Sequence, residues 1–154
     1  MRRFNLLATQ LEPDSSRPEG YRRGHARVDD AIGAELLAGR LYELPRGESV
    51  CPYHYEEGDE EWLIVLDGRP TVRHSSGEDE VEAGDVVCFH TGPGGAHKIS
   101  NAGAATARVL IVSTRTMPSV AVYPDSDKVG VYTGDGERLL VRRSSAVDYW
   151  DGEE

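Results

Sequence analysis

The rhythm of apolar and polar positions changes near residue 40. Residues 1–27 are polar and turn-rich, with Pro13, Pro18, Gly20 and six arginines, which predicts an irregular arm lying on the domain. The segment VDDAIGAELLAG, residues 28–39, predicts a short helix with Asp29 or Asp30 as its N-cap and Gly39 just past its end. Beyond Arg40 come short runs of β-branched and aromatic residues: RLYEL, SVCPYHY, EEWLIVLD, PTVRH, DEVEA, DVVCFH, HKISN, TARVLIVST and SVAVY, then the weaker KVGVY and RLLVRR. Turn signals separate them every eight to twelve residues or so, the spacing of an all-β sandwich or barrel of about ten strands. Asp67-Gly68 predicts a hairpin, because this pair readily takes the positive dihedrals a tight turn needs. Glu82-Ala83-Gly84-Asp85 and Asn101-Ala102-Gly103 read as further turns. The run Trp62 to Leu66 is apolar on both faces, so its strand is expected to be central or covered at a subunit interface. The pattern divides the chain into an arm over 1–39, a barrel over 40–124 and an extension of the same domain over 125–154.

Length and charge narrow the picture. At 154 residues one core suffices without disulfide staples. The net charge is −10, and residues 51–85 hold eleven acids against only Arg69 and Arg73. Such a surface repels phosphate backbones, so no nucleic-acid partner is expected. No apolar run approaches the ~18 residues of a membrane span, and Phe4 to Ala8 is too short for the core of a signal peptide. Cys51 and Cys88 form no C-x-x-C pair and read as buried thiols, so the expected location is the cytoplasm.

The chemistry concentrates in His54, Glu56, Glu61, His90 and His97. Residues i and i+2 of a strand share a face, so His54 and Glu56 can aim into a common interior. Glu61 opens the next strand after a polar turn, on the face that continues as Leu63 and Val65, and His97 starts a later strand beside a glycine-rich loop. Imidazole and carboxylate converging from three strands suit a divalent metal such as Fe, Mn, Ni or Zn. Glu56 stands as a fourth ligand, a general base or a solvated turn residue. His90 reads as a surface or substrate-facing histidine rather than a ligand, and His25 and His74 as solvated. Tyr53 and Tyr55 should face away from the pocket, Phe89, Trp62 and Trp150 should be packing residues, and Glu57 to Glu60 should be a solvated turn.

These residues resemble the two motifs of the cupin superfamily, roughly G-x5-H-x-H-x3,4-E-x6-G and G-x5-P-x-G-x2-H-x3-N. The first falls on Gly47, His54, Glu56, Glu61 and Gly68, and the second on Gly84, His90, Gly92, His97 and Asn101. Gly47 lies one residue too far from His54, Glu56 replaces the second histidine, His90 replaces the proline, and Pro93-Gly94-Gly95-Ala96 lengthens the last gap by two. The stretches PYHYEEGDEEWLIVLDGRPTVR, GDVVCFHTGPGGAH, YPDSDK and DYW are similar to a group of small bacterial cupins. The resemblance implies a double-stranded β-helix, or jelly-roll, barrel that is often dimeric, with its site inside the barrel mouth. On this reading His54, Glu56, Glu61 and His97 are the candidate metal ligands, Glu56 is also the candidate catalytic base, and the ligand is a small polar molecule. Dioxygenase, isomerase and lyase chemistry all stay open, as does a non-catalytic, sugar-binding barrel.

Overall fold

The computed structural model describes residues 1–153. In chain order the strands are β1 (Gly24–Arg27), β2 (Leu37–Leu44), β3 (Tyr55–Glu56), β4 (Glu61–Asp67), β5 (Thr71–His74) and β6 (Gly77–Glu80). They continue with β7 (Val86–Phe89), β8 (His97–Ser100), β9 (Ala107–Thr114), β10 (Ser119–Tyr123), β11 (Lys128–Tyr132) and β12 (Arg138–Arg142). All pairings are antiparallel, in sheets ordered β1-β2-β9-β4-β7, β12-β11-β10-β3 and β6-β5-β8. Isolated bridges Ser49–Ser100 and His54–His97 tie the segment before β3 to β8. The fold is the expected all-β jelly-roll barrel, and among the described residues no helix is long and apolar enough to cross a membrane.

Strand alternation builds the core. Leu63 and Val65 of β4 sit opposite Ile111 and Val109 of β9, and all four are buried with Leu44, Val72, Phe89 and Ile99. Glu61 pairs with Ser113 one step further along the same inward face, so a carboxylate replaces an aliphatic side chain where the barrel opens. β4 is central in its sheet, as its two-sided apolarity predicts, but its outer face is open and Trp62 is half exposed. The Trp62 indole N–H is satisfied by Glu60, and Trp150 is also exposed, so neither tryptophan has the packing role expected of it. Cys88 falls on the outer face of β7 for the same reason of parity, Phe89 taking the inward position, and is exposed rather than buried.

Several local expectations change. The helix α1 covers only Val28–Ile32, because Gly33 takes a left-handed conformation at φ 73° and ends it. Gly39 lies inside β2 instead, and Arg27 occupies the N-cap. Residues 24–27, read as part of an irregular arm, form an edge strand against β2. SVCPYHY is not a continuous strand, since Pro52 has no N–H to give a ladder; the bridges at Ser49 and His54 carry the pairing instead. Asp67-Gly68 turns sharply, with Gly68 at φ 79°, but it joins two different sheets and closes no hairpin. A Cβ on Gly68 would stand 2.7 Å from the Ala107 Cα.

Candidate metal centre

His54 and His97 face each other through their backbones: each N–H donates to the other's carbonyl, at 3.1 and 2.8 Å. This bridge brings the two imidazoles to 4.8 Å between ring centroids. Glu61 Oε2 lies 3.4 Å from His97 Nε2 and 3.7 Å from His54 Nε2. One ligand atom from each of the three residues lies within 4.8 Å of the others.

The second nitrogens orient the rings. His97 Nδ1 lies 2.9 Å from the Gly95 carbonyl and His54 Nδ1 lies 3.1 Å from the Pro52 carbonyl. A carbonyl only accepts, so each proton belongs on Nδ1 and each Nε2 lone pair faces Glu61. Phe89 stacks on His97 at 3.6 Å and 8°, and Tyr123 lies nearly parallel to His54 at 5.8 Å. Burial, then the neighbouring His54, pushes His97 down to about 3, and burial lowers His54 as well. Burial, then Glu56 and Asp59, pushes Glu61 up to about 7. Two neutral imidazoles, locked by second hydrogen bonds and facing one carboxylate, form a donor set that fits a first-row divalent cation.

Glu56 stands beside this trio. Its Oε1 lies 3.8 Å from His54 Nε2, its Oε2 accepts from the Ser119 hydroxyl at 3.2 Å, and its side chain is 17% exposed. Burial pushes it up to about 7 against the Ser119 hydrogen bond. Asp59, expected in a solvated turn, is buried because its Oδ1 accepts from Thr114 Oγ1 at 3.0 Å and the Thr116 N–H at 2.7 Å. His90 is at the surface, 3.6 Å from Glu60, where these two and Cys88 form an exposed group on the outer face. Tyr55 is buried against Ala96 and Val122, and the Arg73 guanidinium covers the ring of Tyr53.

A cavity of about 140 Å³ contains the trio and is lined further by Arg40, Tyr42 and Cys51. A neighbouring cavity of about 280 Å³ shares Ala38, Arg40, Glu61 and Ser113 with it and reaches Glu56, Arg27 and Arg115. Sequence reasoning passed over Arg40, Cys51, Ser119 and Tyr123. The alternation Ala38-x-Arg40-x-Tyr42 is the signal that puts Arg40 on an inner face. The Cys51 Sγ lies 3.4 Å from His54 Nδ1, and burial holds its thiol well above the usual range.

Residues 40–113 match the family described as Cupin domain. A sugar phosphate isomerase of the cupin superfamily from Silicibacter pomeroyi is similar over 97% of this chain and 98% of its own, at 25% identity and a TM-score of 0.81. A proposed sugar phosphate isomerase from Acidithiobacillus ferrooxidans is similar over 84% of this chain and 81% of its own, at 28% identity and a TM-score of 0.76. The polyketide cyclase RemF from Streptomyces resistomycificus shares the fold over 77% of this chain and 83% of its own, at 22% identity and a TM-score of 0.62. No curated protein is significantly similar in sequence. Residues 40–113 thus form a cupin-type jelly-roll barrel, and the inward His/Glu/His trio lies within it.

Proposed function

We propose that this cupin-type barrel is a metal-dependent isomerase of a small polar carbonyl compound, with His54, Glu61 and His97 as the ligands of a divalent Fe, Mn, Ni or Zn ion. The observation that carries the reading is the convergence of those three donors inside the barrel, with Glu56 on the wall 3.8 Å from His54. The two similar proteins named sugar phosphate isomerases favour isomerisation over dioxygenase or lyase chemistry. When bound, the metal supplies Lewis-acid polarisation of a substrate oxygen. Glu56, oriented by Ser119, takes the proton from the hydroxyl-bearing carbon beside that carbonyl and returns it to the carbonyl carbon, while the hydroxyl proton passes to the carbonyl oxygen, so that the carbonyl moves by one carbon with no net gain or loss of protons. Phe89 and Tyr123 shield the imidazoles from water, and Ser119 keeps the Glu56 carboxylate turned to the cavity.

The test is exchange from solvent. Protein loaded with Mn²⁺ and incubated with aldose substrates in D₂O should place deuterium on the carbon next to the carbonyl. Glu56→Gln should abolish this while Mn²⁺ affinity changes little. Binding without any deuterium transfer across an aldose panel would instead identify a non-catalytic sugar-binding barrel. We also propose a homodimer, in which a second copy covers the apolar outer groove lined by Leu37, Trp62 and Val112. Trp62→Glu should then yield a monomer by sedimentation velocity, and a wild-type monomer would remove the proposal.

A further inference from the structure

Arg40 is a half-buried guanidinium on the inner face of β2, between Ala38 and Tyr42, and it lines both cavities. Arg27 and Arg115, which line the outer cavity with it, are both matched by the buried Asp29, at 3.3 and 2.8 Å, and Arg27 also by Asp30 at 2.9 Å. Among the described residues the Arg40 guanidinium has neither an ion pair nor a side-chain hydrogen bond. Arginine stays charged in proteins, and withdrawing such a charge from water without a counter-ion is costly. Glu61 is the acid shared by both cavities. A dication held by Glu61 takes up that carboxylate's charge and leaves Arg40 with no partner of its own. The other acids of the outer cavity make no ion pair with Arg40 among the described residues. Asp59 is engaged by Thr114 and Thr116, and Glu56 by Ser119.

We infer that Arg40 binds the phosphoryl group of a small phosphorylated substrate, so that the cavity is polarised between an imidazole and carboxylate end and a guanidinium end. The inference rests on the proposed function in that it puts the ligand in the same cavity and names its class. A planar guanidinium presents parallel N–H donors that match two phosphoryl oxygens. Arg27 and Arg115 are already matched by Asp29 and Asp30, so of the three arginines that line the cavities Arg40 is the one whose charge is left for an anionic group. Arg40 lines the cavity that holds the trio as well as the neighbouring one, so a phosphoryl group beside it leaves the carbonyl end within the cavity of the trio.

Calorimetric titration with ribose 5-phosphate, ribose and ribonate, on metal-free and Mn²⁺-loaded protein, tests this. Wild-type protein should bind ribose 5-phosphate at least about tenfold more tightly than ribose or ribonate. Arg40→Ala should erase that preference while the protein still folds and still binds Mn²⁺, and Arg40→Lys should keep part of it. Equal affinity of wild-type protein for the three probes, a preference that survives Arg40→Ala, or ribonate matching ribose 5-phosphate would overturn the assignment. Failure of Mn²⁺ to bind would overturn the metal-dependent reading separately, because the phosphate preference of metal-free protein still decides the role of Arg40.

Discussion

His97 is held from several sides: the Gly95 carbonyl takes its Nδ1 proton, the Phe89 ring lies flat against it and Glu61 faces its Nε2. Such a ligand loses little freedom on binding a cation, so His97→Ala should weaken Mn²⁺ binding by about a hundredfold or more while the barrel stays folded. Titration followed by electron paramagnetic resonance checks this, and affinity unchanged in the variant would remove His97 from the ligand set. Asp29 has a different office. It is 1% exposed and sits between Arg27 and Arg115. Burial alone would raise its pKa, but the Arg27 hydrogen bond and charge outweigh this and hold the carboxyl below its ordinary 3.8. A depressed carboxyl stabilises the fold above its unfolded pKa and loses that contribution as pH falls through the folded value. Asp29→Asn should therefore cost about 1–3 kcal/mol at pH 7, since both arginines are partly solvated. The deficit should shrink as pH falls below 3.8, which denaturant melts at several pH values would reveal. His54, Glu61 and His97 were legible in sequence because strand parity and spacing put them on inner faces. Arg40 was not, since its face depends on β2 starting at Leu37, inside the segment that reads as a helix up to Gly39.

The same limit operates on elements. Runs of β-branched residues marked most of the strands, though not β1 or β6 and not a continuous SVCPYHY, and which strands pair is decided by distant partners. Thus Asp67-Gly68 has the chemistry of a hairpin turn and yet connects β4, bound to β7 and β9, to β5, bound to β6 and β8. Pro52 and Gly33 show the converse, where one residue's covalent geometry overrides a favourable local pattern. The loop Thr91 to Ala96 is the element that aims His97, and its glycines are not equivalent. A Cβ on Gly95 would meet the His90 carbonyl oxygen at 1.7 Å, whereas one on Gly94 would enter open space. Gly95→Ala must displace the backbone whose carbonyl orients His97. It should lower stability by about 1–3 kcal/mol and weaken Mn²⁺ binding, whereas Gly94→Ala should leave both near wild type. Thermal melts and metal titrations of the pair measure this contrast, and equal behaviour would show that the loop does not position the histidine.

At the scale of the whole molecule, the acid block of residues 51–85 separates into a hydrophilic rim and three inward carboxylates, Glu56, Asp59 and Glu61. Glu56 and Glu61 are raised from 4.5 to about 7, so between those values the folded chain keeps protons that the unfolded chain has released. Their stabilising contribution is present at the acid end of that window and is lost as pH rises through 7. The imidazoles work in the opposite sense. His97 is lowered from 6.5 to about 3 and His54 is lowered as well, so above 3 the unfolded chain binds protons that the folded chain refuses, and stability rises with pH up to 6.5. Between 4.5 and 6.5 the two trends oppose, and metal-free protein should show a broad stability maximum there. Above 6.5 only the carboxylate trend remains and the melting temperature should fall. A dication reverses that fall, because it binds ionised Glu61 and neutral imidazoles and competes mainly with the Glu61 proton. The rise in melting temperature on adding Mn²⁺ to chelator-treated protein should therefore grow from pH 5.5 to pH 7.5. Glu61→Gln should lessen the metal-free decline, to which Glu56 still contributes, and flatten the Mn²⁺ effect. Scanning fluorimetry across that range decides the matter, and an Mn²⁺ effect independent of pH would show that protons and metal do not share the Glu61 carboxylate.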